Sequence, residues 1–124
     1  MKALIALILG AFFISLNPVC AQTEVQKQEW SEHIVEAVRS KNFTWIIANG
    51  DSILRSKISD SLLIQTFTGL EGMYGKNTGF EKGSWKTSGK IQVFTVPMVY
   101  ENGILELSVS WDSAQKISGF FLRP

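Results

Sequence analysis

The sequence predicts an α+β domain, with N-terminal helices packed on a four-stranded antiparallel meander sheet. Two observations carry that expectation. Between residues 24 and 74 the apolar residues recur every three or four positions, the spacing of one helical face. From Gly75 onward the period becomes two, and glycine, asparagine and serine separate the alternating runs as turns do. Helices first and consecutive strands after is an α+β order.

The chain of 124 residues begins with Met1-Lys2 and an uncharged run from Ala3 to Leu16. This matches the h-region of a secretory signal peptide. A membrane-spanning helix needs about 20 apolar residues, and Asn17-Pro18 interrupts the run short of that. Val19-Cys20-Ala21 sets small or modest residues at the −3 and −1 positions of a cleavage site, so residues 1–21 are expected to be removed after Ala21. A lipoprotein acylated at Cys20 is the competing reading, but it calls for a small residue immediately before the cysteine, and Val19 stands there. Residues 22–124 are then one extracytoplasmic domain, periplasmic or secreted, with no integral membrane segment. Cys20 is the only cysteine. Its loss leaves a domain whose stability rests on packing, without disulfides.

The first helix is expected over residues 24–40. Thr23 and Gln26 have the spacing of a capping box, and Trp30, Ile34, Ala37 and Val38 form one apolar face. Lys41-Asn42 breaks the pattern. Phe43 to Ala48 reads as a short helical turn that Asn49-Gly50 ends through a left-handed conformation. Asp51 to Ile58 reads as mixed helix and loop with Ile53, Leu54 and Ile58 facing inward. Ser59 caps the next helix, where Leu63, Phe67, Leu70 and Tyr74 step along one face and Gly75 ends it.

Strands are expected at Phe80–Thr87, Lys90–Tyr100, Ile104–Trp111 and Lys116–Leu122. The central hairpin admits two registers. A two-residue turn at Asn102-Gly103 puts Tyr100, Met98, Val96 and Phe94 opposite Leu105, Leu107, Val109 and Trp111, yet sets Pro97 in a hydrogen-bonded pair where its missing N–H is needed. A turn with Glu101 and Asn102 central and Gly103 as a bulge puts Ile91, Val93, Pro97 and Val99 on the face of Leu105 to Trp111 instead. The sequence leaves both open.

Composition removes several function classes. Of 12 Lys and Arg residues one, Lys2, leaves with the signal, and the 11 that remain balance 11 Asp and Glu. No block of like charge appears, so the electrostatic footprint of nucleic-acid binding is missing. Glycines at 69, 72, 75, 79, 83 and 89 do not have phosphate-loop spacing, and read as a helix stop and strand bends.

V-E-A-V-R-S-K-N-F at Val35 to Phe43, the helix from Ser59 to Tyr74 closing on Gly75, I-L-E-L-S-V-S-W-D at Ile104 to Asp112 and K-I-S-G-F-F-L-R-P at Lys116 to Pro124 together resemble the bacterial domain of unknown function 3887. The resemblance covers about residues 26 to 124. It implies a nuclear transport factor 2-like, or cystatin-like, cone: helices held in the hollow of a curved four-stranded sheet. Relatives fused in front of α/β-hydrolase domains imply an accessory role, while this chain ends at Pro124 with no hydrolase. The family often carries tryptophan where Phe67 stands here, and it has no established catalytic residues to carry over.

The inventory for catalysis is thin. His33 is the sole histidine and lies beside the apolar stripe of the first helix, no G-x-S-x-G elbow is present, and one histidine without cysteine makes no zinc site. No cofactor is implied. Glu106 is the carboxylate to test as a buried base, against its ordinary reading as a solvent-facing strand residue. Trp30, Trp45, Phe67, Tyr74, Trp85, Phe94 and Trp111 either line a pocket between helices and sheet or fill the core. The expected function is non-catalytic: an extracytoplasmic binding or interaction domain for a small hydrophobic ligand or a protein partner, the latter including a homodimer through the sheet. A small cone-fold enzyme using Glu106, or an accessory subunit of a separate hydrolase, is the alternative.

Overall fold

The computed structural model describes residues 24–124, so the expected signal segment, Cys20 and the Thr23 cap lie outside the described residues. Among the described residues four helices come first, α1 (Glu24–Ser40), α2 (Thr44–Asn49), α3 (Ser52–Lys57) and α4 (Asp60–Tyr74). Five strands follow, β1 (Asn77–Phe80), β2 (Ser84–Ser88), β3 (Ile91–Tyr100), β4 (Gly103–Trp111) and β5 (Ile117–Arg123). The protein is α+β, with every strand pairing antiparallel.

α1 and α4 match their periodicity closely. Ile34, Ala37 and Val38 of α1 and Leu63 and Phe67 of α4 are buried. Ser59 accepts from the Leu62 N–H at 3.1 Å, and Gly75 leaves α4 at φ 83°. The short helices depart from expectation. Gly50 is extended (φ −74°, ψ 151°) rather than left-handed, because it bridges to Ile117 while the Asp51 N–H donates to the Ile117 carbonyl. Asp51 then caps α3 through the Leu54 N–H. In that single turn Leu54 is buried, and Ile53, about 100° further round the helix, is 64% exposed instead of facing inward. Gly69 and Gly72, expected as part of a run of stops and bends, lie inside α4.

The sheet has five strands, not four, because the expected first strand is interrupted. β1 and β2 pair with the same edge of β3, in the order β1/β2, β3, β4, β5. A Cβ on Gly83 would fall on the Phe94 ring, so the chain passes there as glycine and resumes pairing at Ser84.

The hairpin takes a third register, combining the turn of one expected arrangement with the face of the other. Glu101 and Asn102 form a two-residue turn closing on Tyr100–Gly103, and Met98, Val96 and Phe94 lie opposite Leu105, Leu107 and Val109. Alternate pairs exchange hydrogen bonds, which leaves Pro97–Glu106 a non-bonded pair. The Pro97 carbonyl points to the other side and accepts from the Glu81 N–H at 2.9 Å. Its missing N–H thus falls at the gap between β1 and β2.

The inward face of the sheet carries Phe94, Val96, Met98 and Tyr100 from β3 and Leu105, Leu107, Val109 and Trp111 from β4, all buried against the helices. Among the described residues the buried core runs from Ile34 to Ile117.

Candidate functional site

The aromatic candidates divide into core and boundary. Trp111, Phe67 and Phe94 are 1%, 1% and 3% exposed, so nothing reaches their faces without unpacking the domain. Trp30 stacks on Trp111 at 4.8 Å, and Trp85 tilts against both Trp111 and Phe94 at 5.2 Å. Lys27 lies over Trp85 and covers the cluster from the solvent side. Tyr74 packs near Tyr100, and Trp45 stacks on the exposed His33 at 4.5 Å.

Glu106 follows its ordinary reading as an outward-facing strand residue rather than the alternative of a buried base. It sits on the outward face of β4, half-buried, and its Oε1 accepts from Arg123 Nε at 3.0 Å and Nη2 at 2.9 Å. Strict alternation along β4 sends it away from the core that Leu105 and Leu107 enter.

The structure assembles one polar cluster that the sequence did not disclose. Lys41 ends α1 in a left-handed conformation (φ 56°), with the Asn42 N–H on the Ala37 carbonyl and the Lys41 N–H on the Val38 carbonyl. This is a Schellman arrangement at a residue other than glycine. The turn aims the Lys41 ammonium at Glu71 of α4, forming an ion pair. Beside them a cavity of about 80 Å3 is lined by Arg39, Phe67, Asn77 and Tyr100 among others. The Lys41 ammonium, hydrogen-bonded to Glu71, holds that carboxyl below its ordinary range; partial burial opposes, and the Asn77 backbone and Lys76 assist. Burial pushes the Tyr100 phenol up, the Glu71 charge adds to the shift, and a hydrogen bond from Asn77 opposes it. Both shifts move away from neutrality, toward a fixed carboxylate and a neutral phenol, whereas proton transfer needs groups poised near the working pH. The cluster is suited to holding α1, α4 and β3 together. A break in helical periodicity at Lys41 was its only sequence signal, because the partners are 30 and 59 positions away.

An open groove of about 400 Å3 between α1 and α2 is lined by His33, Ala37 and Trp45 among others, and the outward face of the sheet is a further extended feature. Its rows are read from the register: Lys86–Val93–Ser110–Gly119, Ser84–Thr95–Ser108–Phe121, Pro97–Glu106–Arg123 and Val99–Ile104. β3 presents Ile91, Val93, Pro97 and Val99 there with Thr95 among them, all half-buried, a mostly apolar row where a solvated face is ordinarily polar. Phe121 stands 64% exposed and Ile104 51%. The Phe121 ring leans over Gly119 toward Ser110, where a Cβ would collide with it.

Residues 31–120 match the model of a family described as a protein of unknown function, DUF3887. The chain belongs to this family. Within the DUF3887 span fall the Lys41–Glu71–Tyr100 cluster, the core strands and most of the outward face; Trp30 precedes it, and Phe121 and Arg123 follow it. No curated protein and no solved structure matches the chain. Among the described residues no helix of this DUF3887 domain is long and apolar enough to cross a membrane.

Proposed function

We propose that this DUF3887 domain is a non-catalytic interaction domain working outside the cytoplasm, on a nuclear transport factor 2-like cone, and that it engages a protein partner through the outward face of its sheet. The observation that carries the reading is that face: helices cover one side of the sheet, while the other presents the apolar row of β3 with Phe121 and Ile104. Exposed apolar residues gathered on one surface, with polar groups at its rim, are what protein interfaces use. A small hydrophobic ligand held between helices and sheet is the weaker reading, since Trp111 and Phe94 pack against other rings, and the cavity beside Phe67, of about 80 Å3, is far smaller than ligand pockets commonly are. The uncharged run from Ala3 to Leu16 supports export.

The test is photo-crosslinking in the native host, with a photoreactive side chain at Ile104 on the sheet face or at Met73 on the helical side. A discrete adduct from position 104 and none from 73 is expected. Adducts from 73 alone, or none from either, would refute the sheet-face reading. N-terminal sequencing of the recovered protein should begin at Gln22.

A further inference from the structure

Taking the interaction reading as its premise, we infer that the partner seated on the outward face is a second copy of this chain, packed face to face about a two-fold axis running along β4. The register supplies the argument. A two-fold axis parallel to β4 and lying between the two sheets maps each row onto itself and exchanges β3 with β5, since both neighbour β4. The most exposed large apolar side chain of the face, Phe121 on β5, therefore lands over β3 of the other copy. It reaches Thr95 in its own row, with Val93 one row to one side and Pro97 one row to the other. Knob and apolar strip lie at equal distance on opposite sides of one strand, the condition for an isologous contact, in which a surface is its own complement.

The strand on the axis fits the same geometry. Ser108 and Ser110 of β4 face their own counterparts with small side chains, so the sheets approach closely without a clash. Thr95 and Ser108 already satisfy one another at 3.1 Å, as do Ser110 and Ser118 at 3.3 Å, which lowers the cost of removing them from water. In the third row each Glu106 meets its copy with an Arg123 beside each, a neutral group of four charges in place of two exposed pairs. At ~4.8 Å between strands and ~3.3 Å per residue the face offers roughly 500 to 600 Å2 per copy. Two copies together bury about 1,000 Å2, the lower limit for a specific interface. The association is thus a reversible dimer of modest affinity.

Sedimentation equilibrium over the micromolar range, on the chain from Gln22 onward, which holds every core residue among the described residues, tests this directly. The wild-type chain is expected to show a monomer–dimer equilibrium. Val93→Asp and Phe121→Lys should each weaken it by about tenfold or more. Mixing the two variants should restore a heterodimer, because one contact regains Val93 with Phe121 and the other pairs Asp with Lys. Circular dichroism checks that both variants fold. Independently, Ser108→Cys places one thiol per copy on the axis of a chain with no other cysteine, so a short bis-maleimide should couple two copies. A wild-type chain that stays monomeric at every concentration, a dimer indifferent to both substitutions, or no coupling at position 108 would overturn the inference. Crosslinking in the host separates this from failure of the interaction reading: an adduct of other mass at position 104 retains the face and replaces the occupant.

Discussion

Lys41 adopts a conformation that costs a residue with a Cβ about 1 to 2 kcal/mol, and it is held there by Glu71. The two effects separate by substitution. Lys41→Gly relieves the backbone and loses the ion pair, whereas Lys41→Met keeps the strain and loses the pair, so denaturant unfolding should rank Lys41→Met as the less stable. Glu71 and Tyr100 set the pH response in opposite directions. The Glu71 pKa is lowered on folding, so its contribution is present above the unfolded carboxylate value and is lost as pH falls through the folded one. The Tyr100 pKa is raised, so its contribution holds below the ordinary phenol value and is lost as pH rises through the folded one. Melting temperature against pH should therefore fall at both extremes. Glu71→Gln should flatten the acid limb, and Tyr100→Phe the alkaline limb. If neither limb changes, the cluster is not what couples protonation to folding.

Elements show how far local sequence reaches. The helix over Ser59 to Gly75 was legible because its cap, its apolar steps and its stop are all local, and the core face of β4 was legible because alternation needs no partner. The choice between the two turns offered for β3 and β4, and the register that goes with it, was not, because a distant helix fixes it. The Asn102 N–H donates to the Tyr74 carbonyl at 2.8 Å, the Glu101 N–H to the Lys76 carbonyl at 3.0 Å, and the Glu101 carboxylate accepts from the Lys76 N–H at 2.8 Å. These bonds satisfy the end of α4 and draw the turn one residue ahead of the Asn102-Gly103 signal. The same docking requires Gly75, at φ 83° and ψ −171°, since a Cβ there would lie 2.7 Å from Glu101 Oε1. Gly75→Ala should cost about 1 to 3 kcal/mol from backbone conformation alone. Glu101→Ala, which deletes one hydrogen bond, should cost about 1 kcal/mol. Urea denaturation measures both. Equal losses would mean that Gly75 serves only to make room for Glu101.

At the scale of the whole molecule the question is which aromatic residues serve stability and which serve contact. Trp111 is 1% exposed, stacked by Trp30 and met by Trp85, while Phe121 is 64% exposed on the other side of the same sheet. Sequence marked Trp111 as core or pocket lining and gave Phe121 no face, because alternation within the last strand does not say which of its two sides the helices cover. Burial separates them. Removing a packed indole takes away its transfer free energy and leaves a cavity, so Trp111→Ala should destabilise by about 3 to 5 kcal/mol. Phe121→Ala removes a ring already largely in water, and surface changes of that kind fall within about 0.5 kcal/mol. Measured on dilute protein, where no partner is bound, the contrast should be nearly the full cost of Trp111. At high concentration Phe121→Ala should acquire a cost that grows with protein concentration, because a bound second copy stabilises the folded state by mass action. A Phe121→Ala cost that is large in dilute solution would make the ring a structural element of the sheet and remove the knob from the interface.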